Sequence, residues 1–409
     1  MTPKKLGIRK GLVCLLAVLM LTLACNDDGD DNNDANDDDQ VGDNDVTDDD
    51  TVDDDTMADD DVIDDDAVDA PAPAGLFLIG QDDEGWASWR KLPTGWQRES
   101  LPAPSLPMDQ VSLGPTFFLD GRHGWAVWNG FNGSTTGFDV LAYDPDTGWT
   151  TVATQPSAIL PSNLTAVFAT AENDLWVICN TIMDLFQSST SLWHVTGSLA
   201  HWEMPFNELG WNGLFFPDDT SGLAAGNVYE SIGTLTRWDG VSWSSVSMPA
   251  SLRAGLILWM WMTNVENGWL IWEKPADFSR RLLRLDTGEW SIVAAPEGCE
   301  DTDPWRVVGD ADYAIALDRP TPEDRFWELR DGSWSCRHLT GVGGELRQEG
   351  ALVRTDGRAF VLVTDASTEL SYLLEVTAAG VIRLSVPANI RAYALHDLGT
   401  TAPHYSMSR

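Results

Sequence analysis

Leu235-Thr-Arg-Trp-Asp-Gly-Val-Ser-Trp243, with Pro249 behind it, reads as two short aromatic strands joined by an Asp-Gly turn. The same phrase closes on Trp96, Trp149, Trp202, Trp290 and Trp334, with Ile382 in the seventh place. Successive spacings are 53, 53, 41, 47, 44 and 48 residues. Their mean, about 48, matches a repeat of four strands. Within one repeat, Trp211 to Pro217, Gly222 to Asn227, Gly233 to Trp238 and Ser242 to Met248 read as those strands, and turns such as Asp218-Asp-Thr-Ser-Gly222 separate them.

The turn before the second strand recurs as Asp120-Gly-Arg-His-Gly-Trp125, Glu172-Asn-Asp-Leu-Trp176, Glu266-Asn-Gly-Trp269 and Asp356-Gly-Arg-Ala-Phe360. Apolar runs follow it: Trp125-Ala-Val-Trp128, Trp176-Val-Ile-Cys179, Trp269-Leu-Ile-Trp272 and Phe360-Val-Leu-Val363. Continuous hydrophobicity over so few residues fits strands covered on both faces by stacked sheets. The expected architecture is all-β, a seven-bladed propeller of four-stranded antiparallel blades occupying residues 70–409. A single ring is expected because no blade has a core without its neighbours. The first repeat begins at Gly75-Leu-Phe-Leu-Ile-Gly80, which aligns with second strands, while Ile390-Arg-Ala-Tyr-Ala-Leu-His396 is left over at the other end. That surplus strand is expected to complete blade one and cover a naked sheet edge.

From Gly124 to Trp149, with Tyr143-Asp-Pro, Trp149 six residues after the Tyr and Pro156 at the exit, the chain resembles a kelch repeat. The paired Gly of a kelch second strand is missing, as at Asn129-Gly130 and Ala225-Gly226. Leu285-Asp-Thr-Gly-Glu-Trp290 is also similar to the Trp-closed hairpin of quinoprotein-type propellers. Either resemblance implies a binding scaffold, and fold alone selects no activity. The repeating Trp96, Trp149, Trp202, Trp243, Trp290 and Trp334 read as structural indoles that fill gaps between blades and donate N–H to loop carbonyls.

Lys4, Lys5, Arg9 and Lys10 precede an apolar run from Leu12 to Ala24. The run is too short to span a bilayer and ends on a small residue, so residues 1–24 read as a secretory signal. Ala24-Cys25 resembles the lipobox of bacterial lipoproteins, which implies lipidation of Cys25 and a membrane anchor. Asn26, rather than Asp, after that Cys points to the outer membrane over the inner. Residues 26–69 hold 23 Asp with no Glu, Lys, Arg or aromatic residue. Such a segment cannot bury a core, so 25–69 is expected to be a disordered acidic linker reaching on the order of 150 Å when stretched. Its Asp triplets lack the Gly turn and terminal Glu of a calcium loop, so at most weak Ca²⁺ association is expected and no cofactor.

Setting aside the four N-terminal bases and the linker's 23 Asp leaves 21 basic against 41 acidic residues. That balance argues against nucleic acid as a partner, because phosphate binding needs a basic footprint. No G-x-S-x-G, H-E-x-x-H, G-x-G-x-x-G or Walker motif is present, and the six His fall at no metal-binding interval. Asp239-Gly240 and Asp331-Gly332 lack the spacing of sialidase Asp boxes, and a copper radical oxidase would require two Tyr, two His and a thioether Cys, for which six Tyr and one plausible Cys179 stand without supporting motifs. No catalytic or metal residue is assigned. Cys179 reads as a buried hydrophobe. Export allows Cys299 and Cys336 to pair, or to remain apart.

The expected function is a lipid-anchored, monomeric binding protein of the cell envelope. It would present inter-blade loops and second-to-third-strand loops to an envelope protein or a glycan. Phe131, Asn132, Phe186, Glu300 and Asp301 are the candidate binding residues on those loops. The alternative is a funnel-sited carbohydrate-active hydrolase or lyase, which would need two carboxylates and an Arg at the channel mouth.

Overall fold

A computed structural model describes residues 69–105, 110–132, 135–156, 162–184, 187–196, 199–203, 211–218, 220–228, 232–318, 325–339, 346–398 and 404–406. Residues 1–24, expected to be a signal, Cys25, the expected acidic linker up to residue 68, and Phe186 lie outside them, as does the side chain of Asn132.

The described strands form seven sheets, each built on a four-stranded antiparallel meander. Their first strands are Arg391–Asp397 in sheet 1, Gln110–Phe118 in sheet 2, Ser162–Ala171 in sheet 3, Trp211–Asp218 in sheet 4, Leu256–Asn264 in sheet 5, Pro304–Gly309 in sheet 6 and Leu346–Val353 in sheet 7. Each of these touches the first strand of the next sheet, and sheet 7 touches sheet 1, so the first strands close a ring around a central channel. The arrangement is a β-propeller.

Six sheets take their four meander strands consecutively from the chain, and sheet 1 is composite. Leu76–Asp82, Gly85–Leu92 and Gly95–Ser100 supply three of its strands, and Arg391–Asp397 pairs antiparallel with Leu76–Asp82 from the far end of the sequence. Leu398 then donates to the carbonyl of Gly75 at 2.7 Å. At the seam Gly80 faces the strand so closely that a Cβ there would stand 2.7 Å from the Ala392 Cα and nearer still to the Arg391 carbonyl. Two short strands add to this frame. Ala70–Pro71 runs parallel to the outer strand of sheet 7, helped by an Asp69–Arg383 ion pair of 3.0 Å, and His404–Ser406 pairs with the inner edge of Gln110–Phe118.

The apolar runs seen in the sequence are second strands. Tyr313–Asp318 and Ala359–Asp365 are buried at every position. Each Leu, Val or Phe so buried contributes about 1.5–3 kcal/mol, which is why the stacked faces hold the ring together. Sheet 4 follows the expected strands within two residues except the last. Trp243–Ser245 replaces the expected Ser242 to Met248, because the chain turns at Pro249 into the short 3₁₀ segment Ala250–Leu252.

A share of the acidic residues is consumed by turns. Asp82, Asp120, Asp144, Asp218, Asp239, Asp310, Asp356 and Asp365 each accept a backbone N–H two residues ahead. An Asp carboxylate imitates a turn carbonyl in this way, so the acidity is partly architecture.

The Trp expectation needs revision. Trp96 donates to the Ser385 carbonyl at 3.0 Å and Trp149 to Ser88 Oγ at 2.9 Å, both across sheet boundaries. Trp290 and Trp334 are half-buried against the core, Trp243 has no acceptor for its indole N–H among the described residues, and the Trp202 side chain lies outside them. Much of the bridging falls to indoles outside the repeating set: Trp128 to Pro102, Trp259 to Val307, Trp272 to Leu252 and Trp327 to Thr302.

Candidate functional site

In every sheet the first strand carries one residue more than its partner, near the end where it begins. The extra residue is Tyr393 in sheet 1, lies within Gly114–Pro115 in sheet 2, and is Thr165, Asn212, Leu258, Trp305 and Glu349 in sheets 3 to 7. A bulge bends its strand and re-aims the side chain it carries, and such bulges favour barrel rims and active sites. Here the bulges repeat around the ring. Tyr393, Thr165, Leu258, Trp305 and Glu349 are all partly exposed within strands that are largely buried.

Antiparallel pairing puts the starts of first strands and the second-to-third-strand hairpins at one end, as the Gln81↔Arg391 partnership shows. At that upper end lies a cavity of about 430 Å³ shared by sheets 7, 1 and 2. Two bulge residues, Tyr393 and Glu349, line it. Arg391 and Arg347, each two positions earlier in the same strands, line it as well. Trp86 from the third strand of sheet 1 forms an aromatic wall with Tyr393, their rings 5.3 Å apart and tilted by 35°, and Trp128 stands edge-on behind Trp86 at 5.1 Å. Gln81, Ser112, Thr364 and Glu369 complete the polar lining used below.

Glu369 is held by its turn. Asp365 Oδ1 accepts the Ser367 N–H at 2.7 Å, the Ser367 hydroxyl at 2.6 Å and the Thr368 N–H at 3.3 Å. The Ser367 hydroxyl and N–H hold the Asp365 carboxyl below the usual carboxylate range. Glu369 itself sits at φ +58°, a left-handed conformation that costs a side-chain-bearing residue about 1 kcal/mol or more. That geometry brings its carboxylate to Arg391 as an ion pair. Beside it, Ser371 Oγ accepts the Ala392 N–H at 2.8 Å, pinning sheet 7 to the strand that bears Tyr393.

The two arginines therefore differ. Arg391 is neutralised by Glu369. Arg347 has an Nε shut off from solvent with no hydrogen-bond acceptor among the described residues.

Of the residues singled out from the sequence, Phe131, Glu300 and Asp301 sit at the same end but do not converge. Phe131, at the tip of the second strand of sheet 2, is 38 % exposed. Glu300 accepts the Gly298 N–H at 3.0 Å, and Asp301 pairs with Arg325 at 2.9 Å, so both help to shape their own loop. Arg325 and its hydrogen bond hold the Asp301 carboxyl below its usual range. Cys299 and Cys336 are joined as a disulfide with Cα atoms 5.5 Å apart, tying that loop to the outer strand of sheet 6. Cys179 is buried within the core. Reasoning from the sequence missed Arg347, Glu349, Glu369, Arg391, Trp86 and Tyr393. For Glu369 the signal existed, since it lies on a second-to-third-strand hairpin. For Glu349 and Tyr393 it did not, because a bulge is defined by pairing.

A second cavity, of about 400 Å³, lies at the opposite end between sheets 2 and 3 and includes His123, Asp144 and Glu172. His123 Nδ1 stands 3.0 Å from Asp120 Oδ2, and its Nε2 is 3.7 Å from Glu172 Oε2. Among the described residues no group of three or more His, Cys, Asp or Glu is placed to hold a metal ion, and no helix is long and apolar enough to cross a membrane.

No family model and no curated protein matches the sequence. Solved structures do resemble the fold. A prolyl endopeptidase structure superposes with a TM-score of 0.52 at 11 % identity, covering 81 % of this chain and 50 % of that one, so this chain spans half its length. Dihydro-heme d1 dehydrogenase NirN in complex with DHE gives 0.47 at 14 % identity, covering 82 % and 78 %. A fungal lectin of Aleuria aurantia, described as a six-bladed β-propeller with a fucose recognition mode, gives 0.40 at 11 % identity, covering 71 % and 96 %; the described strands of this chain form seven sheets. At such identities the likeness extends to the propeller fold and to no activity or ligand.

Proposed function

We propose that this chain is a lipid-anchored binding protein of the bacterial cell envelope whose propeller presents its upper end to a glycan or to another envelope protein. The observation that carries the reading is the cavity where Trp86 and Tyr393 form an aromatic wall beside charged groups from two sheets. Polar groups beside aromatic rings can fix a ligand's orientation while the rings stack on it. The signal-like N-terminus, the lipobox-like Ala24-Cys25 and the Asp-rich linker support an anchored, exported molecule held off a membrane. Asn26 favours the outer membrane. Phe131 and the disulfide-tied loop of Glu300 and Asp301 would extend the contact surface outward.

The test is to probe a glycan array and, separately, intact cells by crosslinking, using the full-length protein and its Trp86→Ala and Tyr393→Ala variants. Binding that the variants lose supports the reading. Unchanged glycan and crosslinking profiles in both variants overturn it. Protease shaving of intact cells tests placement, because release of the propeller puts it on the surface and protection puts it in the periplasm.

A second reading, a carbohydrate-active hydrolase or lyase, is favoured by one observation: Glu349 and Glu369 line the same cavity as two arginines. Against it, the Glu369 carboxylate is already engaged by Arg391 and so is not free to act on a substrate. Release of reducing ends from an oligosaccharide, abolished by Glu349→Gln, would establish that reading.

A further inference from the structure

We infer that the upper cavity is a subsite for a carboxylate-bearing sugar, a uronate, whose carboxylate is received by Arg347. The inference rests on the binding reading above and names its ligand class. Three observations carry it. First, Arg347 lines the cavity and makes no ion pair among the described residues, whereas Arg391 is already paired with Glu369. The planar guanidinium fork matches a carboxylate in bidentate fashion. Second, Trp86 and Tyr393 supply a half-buried aromatic wall against which the C–H face of a pyranose can stack. Third, Glu349, Gln81 and Ser112 place an acceptor, an amide and a hydroxyl around that wall, suited to ring hydroxyls.

The charged lining residues, Arg347 and Arg391 against Glu349 and Glu369, sum to zero, so a monoanion disturbs the balance less than a phosphate dianion, which would find no second unpaired cation among the described lining residues. A volume of about 430 Å³ is ample for one or two sugar units.

The experiment is isothermal titration of the full-length, detergent-solubilised protein with trigalacturonate and with its methyl ester, at about 0.15 M salt so that long-range repulsion by the acidic chain is screened. The acid is expected to bind at least tenfold more tightly than the ester. Arg347→Gln is expected to bring the acid down to the affinity of the ester, with the thermal midpoint showing that the fold is kept. Arg347→Lys, which keeps the charge and loses the fork, should retain only part of the preference and serves if the Gln variant fails to fold. Equal affinity for acid and ester in the native protein overturns the uronate inference while leaving glycan binding intact. Binding of neither form overturns the uronate inference, while the glycan arm of the proposed function stands or falls with the array. Tighter binding of an N-acetyl dipeptide than of trigalacturonate also overturns it, in favour of a peptide carboxylate.

Discussion

Replacing Asp397 by Asn should loosen the point at which the ring closes. Asp397 ends the strand that completes sheet 1 and has no solvent exposure, and Arg354, at the corresponding end of sheet 7, lies with Nε 2.9 Å from its Oδ2. The contact joins two sheets that are adjacent in space and distant in sequence. Removing one member of a buried pair typically costs 3–5 kcal/mol, because the other charge is left without compensation. Arg354 keeps some access to water and a weaker contact to Asp356 at 3.8 Å, so the lower end applies, about 3 kcal/mol. With an unfolding entropy of about 2.1 cal/mol/K per residue over roughly 340 residues, that loss lowers the melting midpoint by about 4 °C. Calorimetry of Asp397→Asn is accompanied by a cycle of Asp397→Leu, Arg354→Met and Asp397→Leu/Arg354→Met. The double variant should recover most of the loss, since a buried ion pair is often replaceable by apolar residues. A midpoint unchanged within 1 °C for Asp397→Asn, or a double variant no better than the single ones, would refute the reasoning.

Breaking the disulfide by Cys299→Ser and Cys336→Ser frees a loop with sequence separation 37; the chain-entropy relation gives a loss of about 4 kcal/mol, read as a midpoint lower by about 5 °C and reproduced in the native protein by reductant. In Trp149→Phe, the buried Ser88 hydroxyl loses its indole partner, and a loss of about 1–2 kcal/mol in urea unfolding is expected, smaller when Ser88→Ala accompanies it. Acid should destabilise the fold in a defined window. The Arg98 hydrogen bond holds Asp82 below its usual range, the Ser242 N–H does so for Asp239, and the Ser367 hydroxyl for Asp365. Their contribution is complete above the unfolded value near pH 4 and disappears as pH falls through the lowered folded values, so the midpoint should drop below about pH 4; a midpoint that rises between pH 5 and 3 contradicts this. Burial pushes Tyr143 up to about 12, so its phenolate absorbance should appear later in an alkaline titration than that of an exposed tyrosine.

Much of the propeller could be read without coordinates because its rules are local. The Asp-Gly-Arg-His-Gly-Trp125 type of turn and the apolar run after it define a second strand wherever they occur, since a sheet covered on both faces requires apolar residues in succession. The surplus strand near Ile390 could be assigned to sheet 1 by counting alone, and it pairs there. The Trp roles were less readable. An indole at a repeat position packs, but whether its N–H meets a carbonyl depends on how far the next sheet is rotated. Trp96 finds Ser385, whereas Trp243 finds no acceptor among the described residues.

By itself the sequence determined the class of fold, the strand order and the segment that closes the ring, because each follows from short-range pattern and the need to cover hydrophobic faces. It also limited the chemistry through its acidity and missing motifs. Only the tertiary structure decided where recognition can happen. Arg347, Glu349, Trp86, Glu369, Arg391 and Tyr393 span more than 300 positions of the chain and meet because sheet 7 packs on sheet 1, and because a one-residue excess in each first strand turns Glu349 and Tyr393 toward the mouth. Such an excess is a relation between two strands, and neither strand's sequence carries it alone.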